Sequence, residues 1–173
     1  MSPSPLGIPS PAARSEDPCA SVFSWAARVY WEDTDGGGIV YYANYLRFLE
    51  RARTEWLRSL GYSQQQLVQT PGIVFAVSGL SIEYRRPARL DDELTITCEP
   101  RSERASEMRF AQRIYRVAAG DVVGGREDRN LLVEADVRVV CVDARTLRPK
   151  RLPAFLADIL AGRRFEDGAS LNG

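Results

Sequence analysis

The chain has 173 residues, of which 45% are hydrophobic and 27% are charged, and its 23 basic and 23 acidic residues leave no net charge. A chain of this length can bury the core of one domain without metals or disulfides, and the balanced charge argues against a nucleic-acid binder. The absence of histidine excludes Ser-His-Asp and Cys-His catalysis and histidine metal sites within this chain.

Residues 1–22 are rich in proline, serine and alanine, which predicts a disordered extension. This segment lacks the basic and apolar regions of a secretory signal, and no apolar run is long enough for a transmembrane helix. The cysteines at positions 19, 98 and 141 are far apart, which fits a reducing compartment and neither a zinc site nor a disulfide framework. We therefore expect a cytoplasmic protein without membrane insertion, bound metal or cofactor.

The predicted domain, residues 23–162, begins with a strand over Phe23–Trp31 and a loop over Asp33–Gly38. Between Ile39 and Leu60, apolar residues recur at spacings of three and four, and Gly61 follows as a helix-ending residue. This pattern predicts one long helix with a broad apolar face. The apolar positions are Tyr45, Phe48, Leu49, Ala52, Trp56, Leu57 and Leu60.

A short helix capped by Ser63 comes next, followed by four strand patterns in which apolar and polar residues alternate. The predicted strands cover residues 73–84, 93–100, 106–117 and 131–142, with a turn at 87–92 and a polar hairpin loop at 118–130. A short helix over Ala154–Leu160 precedes a C-terminal tail, residues 163–173. One apolar helix and one antiparallel sheet predict an α+β fold in which the five-stranded sheet wraps the helix.

The segment Glu32–Tyr45, E-D-T-D-G-G-G-I-V-Y-Y-A-N-Y, carries the candidate chemistry. Glycines that lead into a helix allow a ligand to approach free backbone N–H groups, and the helix start adds partial positive charge. A carboxylate beside such a point, here Asp35, can attack a carbonyl or activate water against it. The pattern therefore favours hydrolysis of an acyl compound, although an Asp-Gly pair is also common in simple turns.

The motif R-V-x-x-x-D-T-D-x-x-G-I-V-Y-Y-x-x-Y, residues 28–45, resembles the signature of hotdog-fold thioesterases of the 4-hydroxybenzoyl-CoA thioesterase type. The resemblance continues through E-R-A-R-T-E at 50–55, the segment 77–92 and V-V-C-V-D at 139–143, and covers about residues 25–160. These segments are most similar to the acyl-CoA thioesterases encoded with the Tol-Pal envelope system. The strand and helix order derived above is also the hotdog order.

The resemblance implies that Asp35 is the catalytic carboxylate and that the backbone N–H of Tyr42, at the helix start, polarises the thioester carbonyl. It implies that Gly38 lets the substrate approach the backbone, and we expect Val40 to contact the substrate as well. The site is expected between subunits of a homo-oligomer, either a dimer or a tetramer. Asp35 can act as a nucleophile or as a general base, and the sequence does not choose between them.

Three arginines, Arg85, Arg86 and Arg89, cluster near a turn and are candidates for holding the phosphates of coenzyme A, although a solvated surface cluster is an equal interpretation. Glu50, on the predicted helix, is interpreted as an ion-pair partner, because such pairs are common on helices.

The resulting prediction is a thioesterase that acts on acyl-CoA, with short aliphatic acyl groups favoured. Aromatic acyl-CoA, such as a hydroxybenzoyl or dihydroxynaphthoyl ester, is the alternative, because the benzoyl-CoA type carries Tyr at position 42 whereas the Tol-Pal type carries His. A non-catalytic module that binds acyl-CoA or an acyl carrier protein, and a structural partner of envelope proteins, are further alternatives.

Overall fold

The computed structural model describes residues 22–117 and 130–161, and within them it contains five strands and three helices. In chain order these are β1 (Phe23–Arg28), α1 (Asn44–Ser59), α2 (Gln64–Gln69), β2 (Ile73–Tyr84), β3 (Glu93–Arg104), β4 (Glu107–Arg116), β5 (Leu131–Asp143) and α3 (Ala154–Leu160). The predicted N-terminal extension and C-terminal tail, and nearly all of the 118–130 loop, lie outside the described residues, so those assignments stay predictions.

The five strands form one antiparallel sheet in the order β1-β3-β4-β5-β2. Within the described residues, β1 and β2 are the two edges of this sheet. Because α1 connects β1 to β2 in the chain, it crosses one face of the sheet from edge to edge. The predicted architecture, a five-stranded antiparallel sheet around one long central helix, is confirmed.

The core lies between α1 and the inner face of the sheet. Phe48, Leu49 and Ala52 are fully buried on α1, as the spacing of three and four predicts. The ring of Trp56 meets that of Phe110 on β4 edge to face, with ring centroids 5.4 Å apart. The sheet contributes alternate residues of its inner strands, which include Leu94, Ile96, Cys98, Met108, Phe110, Ile114, Val133, Val137, Val139 and Cys141.

The first strand is shorter than predicted and ends at Arg28 instead of Trp31. A 3₁₀ turn occupies Trp31–Asp33, because the Asp33 carboxylate accepts a hydrogen bond from the Tyr30 N–H at 2.9 Å. This side-chain cap bends the chain away from the sheet. The predicted loop therefore begins with an ordered turn.

The central helix begins at Asn44, five residues later than predicted. Ile39 and Val40 do not belong to it, because they form isolated β-bridges with Arg89 and Thr34 respectively. The predicted 93–100 strand was too short, since β3 continues to Arg104 along its partner β4. These backbone pairings override the local apolar spacing.

The predicted cap of α2 and the predicted helix-ending glycine of α1 are confirmed. The Ser63 hydroxyl caps α2 by accepting a hydrogen bond from the Gln66 N–H, and Gly61 adopts a φ of +88° after α1. Cys98 and Cys141 are buried without a disulfide partner among the described residues. In the part of the chain that the structure describes, no helix has the length and apolar character to cross a membrane.

Candidate active site

The residues between the 3₁₀ turn and α1 form a tight hairpin, here called the carboxylate loop, residues 34–40. Thr34 bridges Val40, the Asp35 N–H donates to the Ile39 carbonyl at 3.0 Å, and the Gly38 N–H donates to the Asp35 carbonyl at 3.0 Å. Gly38 has a φ of +70°, a conformation that favours glycine. Apart from its two chain neighbours, no residue has an atom within 4 Å of the point where a Cβ would stand, so its backbone is open to a ligand.

Asp35 presents an exposed carboxylate at this loop. Its Oδ1 accepts a hydrogen bond from the Gly37 N–H at 2.7 Å, which is the turn interaction that an Asp-Gly sequence predicts. Among the described residues, Oδ2 has no hydrogen-bond partner. The loop therefore orients the carboxylate through one oxygen and leaves the other available for chemistry.

The other aspartate of the D-T-D motif has a different environment. Asp33 is only 2% exposed, and its carboxylate is used to cap the 3₁₀ turn. Its carbonyl oxygen accepts hydrogen bonds from the Tyr41 N–H at 2.9 Å and from the Asn44 side chain at 3.0 Å. Asp33 thus holds the turn to the start of α1, whereas Asp35 faces solvent.

Tyr42 lies two residues before the helix, since Ala43 is the N-cap and Asn44 the first helical residue. The predicted position at the helix start is therefore corrected by this short offset. The Tyr42 N–H has no hydrogen-bond partner within the described ranges, and its carbonyl accepts a hydrogen bond from the Tyr84 hydroxyl at 3.0 Å. The arrangement leaves a fixed, unpaired N–H near the positive end of a helix dipole.

Two exposed tyrosines accompany these groups. The rings of Tyr41 and Tyr42 are 4.7 Å apart. The pKa of Tyr41 is raised, chiefly by the adjacent Tyr42 hydroxyl and more weakly by burial and by the negative charge of Asp35. The Tyr41 hydroxyl therefore shares the electrostatic environment of the Asp35 carboxylate.

The other predicted substrate-binding residues, Val40 and the three arginines, differ in how accessible their side chains are to a ligand. Val40 is 3% exposed, and its backbone N–H donates to the Ala88 carbonyl at 2.9 Å, so its side chain belongs to the core. Arg85 forms ion pairs with Glu134 and Glu83, and the pKa of its guanidinium is raised chiefly by the hydrogen bond to Glu134 and then by the charge of Glu83. Arg89 bridges the carboxylate loop at Ile39. Arg86, the third member of the cluster, is exposed, and its N–H donates to the Leu132 carbonyl.

A cavity of about 110 Å³ lies beside the C-terminal half of α1, between that helix and strands β2, β4 and β5. Its walls are mainly apolar. The lining residues are Glu50, Arg53, Trp56, Leu57, Gln64, Phe75, Val77, Met108, Phe110 and Val139. The carboxylate loop is not among its lining residues. Along the helix axis, Asn44 and Glu50, the lining residue of α1 nearest the loop, are about 9 Å apart.

Sequence reasoning missed several residues that support this region. Asn44 ties the Glu32 and Asp33 carbonyls to α1, at 3.3 and 3.0 Å, and the Tyr45 hydroxyl accepts the Ala88 N–H at 2.8 Å. Gln112 is buried in the inner row of β4, where a polar residue interrupts the apolar alternation. That interruption was the one sequence signal available for Gln112.

The described residues contain no cluster of carboxylates and cysteines arranged to hold a metal ion. The chemistry present is an exposed carboxylate, an unpaired backbone N–H and a glycine that leaves the backbone accessible. Such a set can attack a carbonyl, or activate water against it, while stabilising the negative charge that develops on its oxygen.

Comparison with known proteins gives a consistent set of relatives. The family model described as "Thioesterase-like superfamily" matches residues 29–160. The acyl-CoA thioester hydrolase YbgC of Escherichia coli is 45% identical over 133 residues, which cover 77% of this chain and 91% of that protein. A 1,4-dihydroxy-2-naphthoyl-CoA hydrolase of Thermosynechococcus vestitus is 28% identical over 128 residues, covering 74% and 84% of the two chains.

Among solved structures, a mutant of 4-hydroxybenzoyl-CoA thioesterase complexed with 4-hydroxybenzoyl-CoA has a TM-score of 0.71 and 26% identity, covering 82% of this chain and 99% of that one. A 1,4-dihydroxy-2-naphthoyl-CoA thioesterase from Synechocystis has a TM-score of 0.70 at 23% identity, covering 82% and 96%, and shows the shared fold.

Proposed function

The chain belongs to the thioesterase-like superfamily, and from this premise we propose that it is an enzyme that hydrolyses the thioester bond of an acyl-CoA. The observation that carries the proposal is the exposed Asp35 carboxylate, with one oxygen unengaged, in the same segment as the unpaired Tyr42 N–H. A pure binding module has no need of a carboxylate at the carbonyl of its ligand.

In the proposed mechanism, the thioester carbonyl oxygen accepts a hydrogen bond from the Tyr42 N–H. Asp35 either removes a proton from water as the water oxygen attacks the carbonyl carbon, or attacks that carbon itself to form a mixed anhydride that water then hydrolyses. In both routes the C–S bond breaks and the sulfur leaves as a thiolate. Because a thiol has a pKa of about 8.5, the leaving group needs little help from a general acid, which suits a chain without histidine.

We propose that the working unit is a homo-oligomer in which two chains pair through β2. This edge strand exposes Val77, Leu80 and Tyr84 to 55%, 43% and 45%, and edge strands with exposed apolar side chains are templates for pairing. A two-fold axis between antiparallel β2 strands runs perpendicular to the sheet. It therefore keeps both α1 helices on one side and brings the Tyr84 end of one strand beside the Ile73 end of the other.

This pairing would also connect the two parts of the site. Tyr42 is attached to the Tyr84 end of β2, whereas Phe75 and Val77 line the cavity near the opposite end. In the dimer, the Tyr42 N–H of one protomer would approach the cavity of its partner. We propose that the acyl group occupies that cavity while its carbonyl lies at the carboxylate loop of the other chain.

The size of the cavity favours short aliphatic acyl groups. Its volume of about 110 Å³ and its mainly apolar walls suit a short hydrocarbon chain. The alternative, an aromatic acyl group, has support in the activities for which the naphthoyl-CoA and hydroxybenzoyl-CoA relatives are named, and in Tyr42.

For the coenzyme A phosphates, we propose Arg89 as the first contact, supported by its exposure and its bridge to the carboxylate loop. Arg86 is the second candidate. Arg85 would have to exchange its bonds to Glu83 and Glu134 for a phosphate. An acyl carrier protein, as an alternative donor of the acyl group, would present the same phosphopantetheine thioester.

The test is thiol release from a panel of acyl-CoA esters, aliphatic from short to long and benzoyl types, with wild type beside Asp35→Asn. Asparagine keeps an oxygen that accepts the Gly37 N–H, so the loop should persist. We expect kcat to fall on the order of 10²–10³-fold. The matched control is Glu32→Gln, which neutralises an exposed carboxylate of the adjacent turn. Full activity in a folded, oligomeric Asp35→Asn variant would refute the assignment, and tight binding without turnover would indicate a binding module.

A further inference from the structure

The apolar cavity beside α1 contains one cation among the described residues that line it, Arg53. Arg53 lies on the inner side of α1 and is partly buried. Burial lowers the pKa of its guanidinium, while the Cys98 thiol and Glu50 work in the opposite direction. A charged group in such a place is costly unless acceptors surround it.

Most of the hydrogen-bond donors of the Arg53 side chain have no partner among the described residues. A guanidinium has five N–H donors, yet Arg53 makes one side-chain hydrogen bond within the described ranges, from Nη1 to Gln112 Oε1 at 2.8 Å. No carboxylate of the described residues is within ion-pair distance of it. Its other donors have no protein partner among the described residues and are not enclosed, so a polar group that enters the cavity can reach them.

Gln112 holds the guanidinium in one orientation. Gln112 is 1% exposed on β4, and its Nε2 donates to the Leu49 carbonyl at 3.0 Å. The opposite amide orientation would face two donors, Arg53 and the amide nitrogen, toward each other, so only one assignment satisfies both neighbours. Gln112 is thus a positioning residue that fixes Arg53 against the cavity.

We propose that Arg53 recognises a hydroxyl oxygen at the far end of a short acyl group, so that the enzyme prefers ω-hydroxyacyl thioesters to hydrocarbon acyl groups of the same size. This inference rests on the proposed function, and on the acyl group occupying the cavity. In this arrangement the apolar walls surround the hydrocarbon part of the acyl group, and the Arg53 guanidinium donates a hydrogen bond to its terminal oxygen.

Glu50, the second charged residue that lines the cavity, favours a hydroxyl over a carboxylate as the terminal group of the acyl chain. Glu50 also lines the cavity, and it accepts a hydrogen bond from the Thr54 hydroxyl at 2.7 Å. A hydroxyl can accept from Arg53 and donate to Glu50, whereas a terminal carboxylate would be repelled by Glu50. The Arg53 and Glu50 charges cancel, which favours a neutral polar group.

The test compares kcat/KM for matched esters in wild type and Arg53→Met. The hydroxyl pairs are 4-hydroxybutyryl-CoA with pentanoyl-CoA and 5-hydroxypentanoyl-CoA with hexanoyl-CoA. The carboxylate pair is succinyl-CoA with 4-methylpentanoyl-CoA. We expect wild type to prefer the hydroxyl member of at least one pair, and the preference to fall about tenfold in Arg53→Met, because a site built to bond an oxygen discriminates against analogues without it.

If Arg53 only held α1 against β4, its replacement would change stability and the overall rate. It would not change the ratio of kcat/KM values within a pair of esters. Arg51→Met, which removes an exposed arginine of the same helix, is the matched control and should leave the ratio unchanged. Arg53→Lys provides a second variant in case Arg53→Met does not fold. It should retain part of the preference for the hydroxyl ester, because an ammonium donates hydrogen bonds but cannot bond Gln112 and the ligand together as the planar guanidinium does.

An unchanged ratio in folded Arg53 variants, or a loss confined to the succinyl pair, would overturn the proposal while leaving the thioesterase intact. Absence of thiol release from every ester by well-folded wild type would refute the proposed function itself, and this inference with it.

Discussion

The Tyr84 hydroxyl donates a hydrogen bond to the Tyr42 carbonyl oxygen at 3.0 Å, and so joins the end of edge strand β2 to the residues just before α1. The two rings also lie edge to face, with centroids 6.5 Å apart. This contact links the strand proposed for subunit pairing with the N–H proposed to polarise the substrate.

Tyr84→Phe should therefore lower kcat while changing the free energy of unfolding only slightly. The variant keeps the ring contact but loses one partly exposed hydrogen bond, whose net contribution to the free energy of unfolding is about 1 kcal/mol. We expect kcat to fall a few-fold and KM to change little. Steady-state kinetics and urea unfolding of the same preparation would check this, and a loss of stability with unchanged kcat would contradict it.

The two aspartates of the D-T-D motif should separate stability from activity. Asp33→Ala removes the buried acceptor of the Tyr30 N–H and should lower the free energy of unfolding by about 1–3 kcal/mol. Asp35→Asn should leave unfolding nearly unchanged while removing most of the activity. Urea unfolding and thiol release for both variants test the distinction. Equal effects of the two on stability would refute it.

Two glycines of the carboxylate loop provide a matched pair. Gly38→Ala forces a side chain into a φ of +70° and should destabilise the loop by about 1–2 kcal/mol, besides obstructing the approach of the substrate. Gly36→Ala is the control, because Gly36 does not have a positive φ and nothing lies within 4 Å of its added Cβ. The unfolding temperature and kcat/KM should fall for Gly38→Ala and should stay near the wild-type values for Gly36→Ala.

Leu80→Lys should dissociate the proposed dimer. A charge on the exposed apolar face of β2 opposes pairing between edge strands. We expect a shift to monomer in sedimentation analysis, with a parallel loss of thiol release, since each site would lose its partner. Val68→Lys, an exposed apolar position on α2, is the control and should keep the wild-type mass. A stable Leu80→Lys dimer would contradict pairing through β2.

Asp143 should contribute to stability in a pH-dependent way. Hydrogen bonds from the backbone N–H groups of Thr146 and Arg145 lower its pKa to about 2. Because the folded pKa lies below the unfolded value of about 3.9, the contribution is complete above that value and is lost as pH falls toward 2. Asp143→Ala should therefore be less stable than wild type at pH 7, and the difference should shrink between about pH 4 and pH 2 in urea unfolding.

Alternation along the strands, the spacing of three and four along α1, and the caps at Ser63 and Gly61 were enough to predict the element order and the layering of helix on sheet. These features depend on neighbours within a few residues, so the sequence contains them directly. The D-T-D-G-G-G segment likewise marked the candidate site, because its residue types suit carbonyl chemistry wherever the helix begins.

The start of α1 and the Arg53–Gln112 pair were decided only by the tertiary structure. Ile39 leaves the predicted helix because it bridges Arg89, and Arg53 meets Gln112 because the helix crosses the middle of β4. In each case the hydrogen-bond partner is distant in sequence. Local periodicity does not report which distant donors and acceptors the fold brings together, so these features follow from packing and not from the order of residues alone.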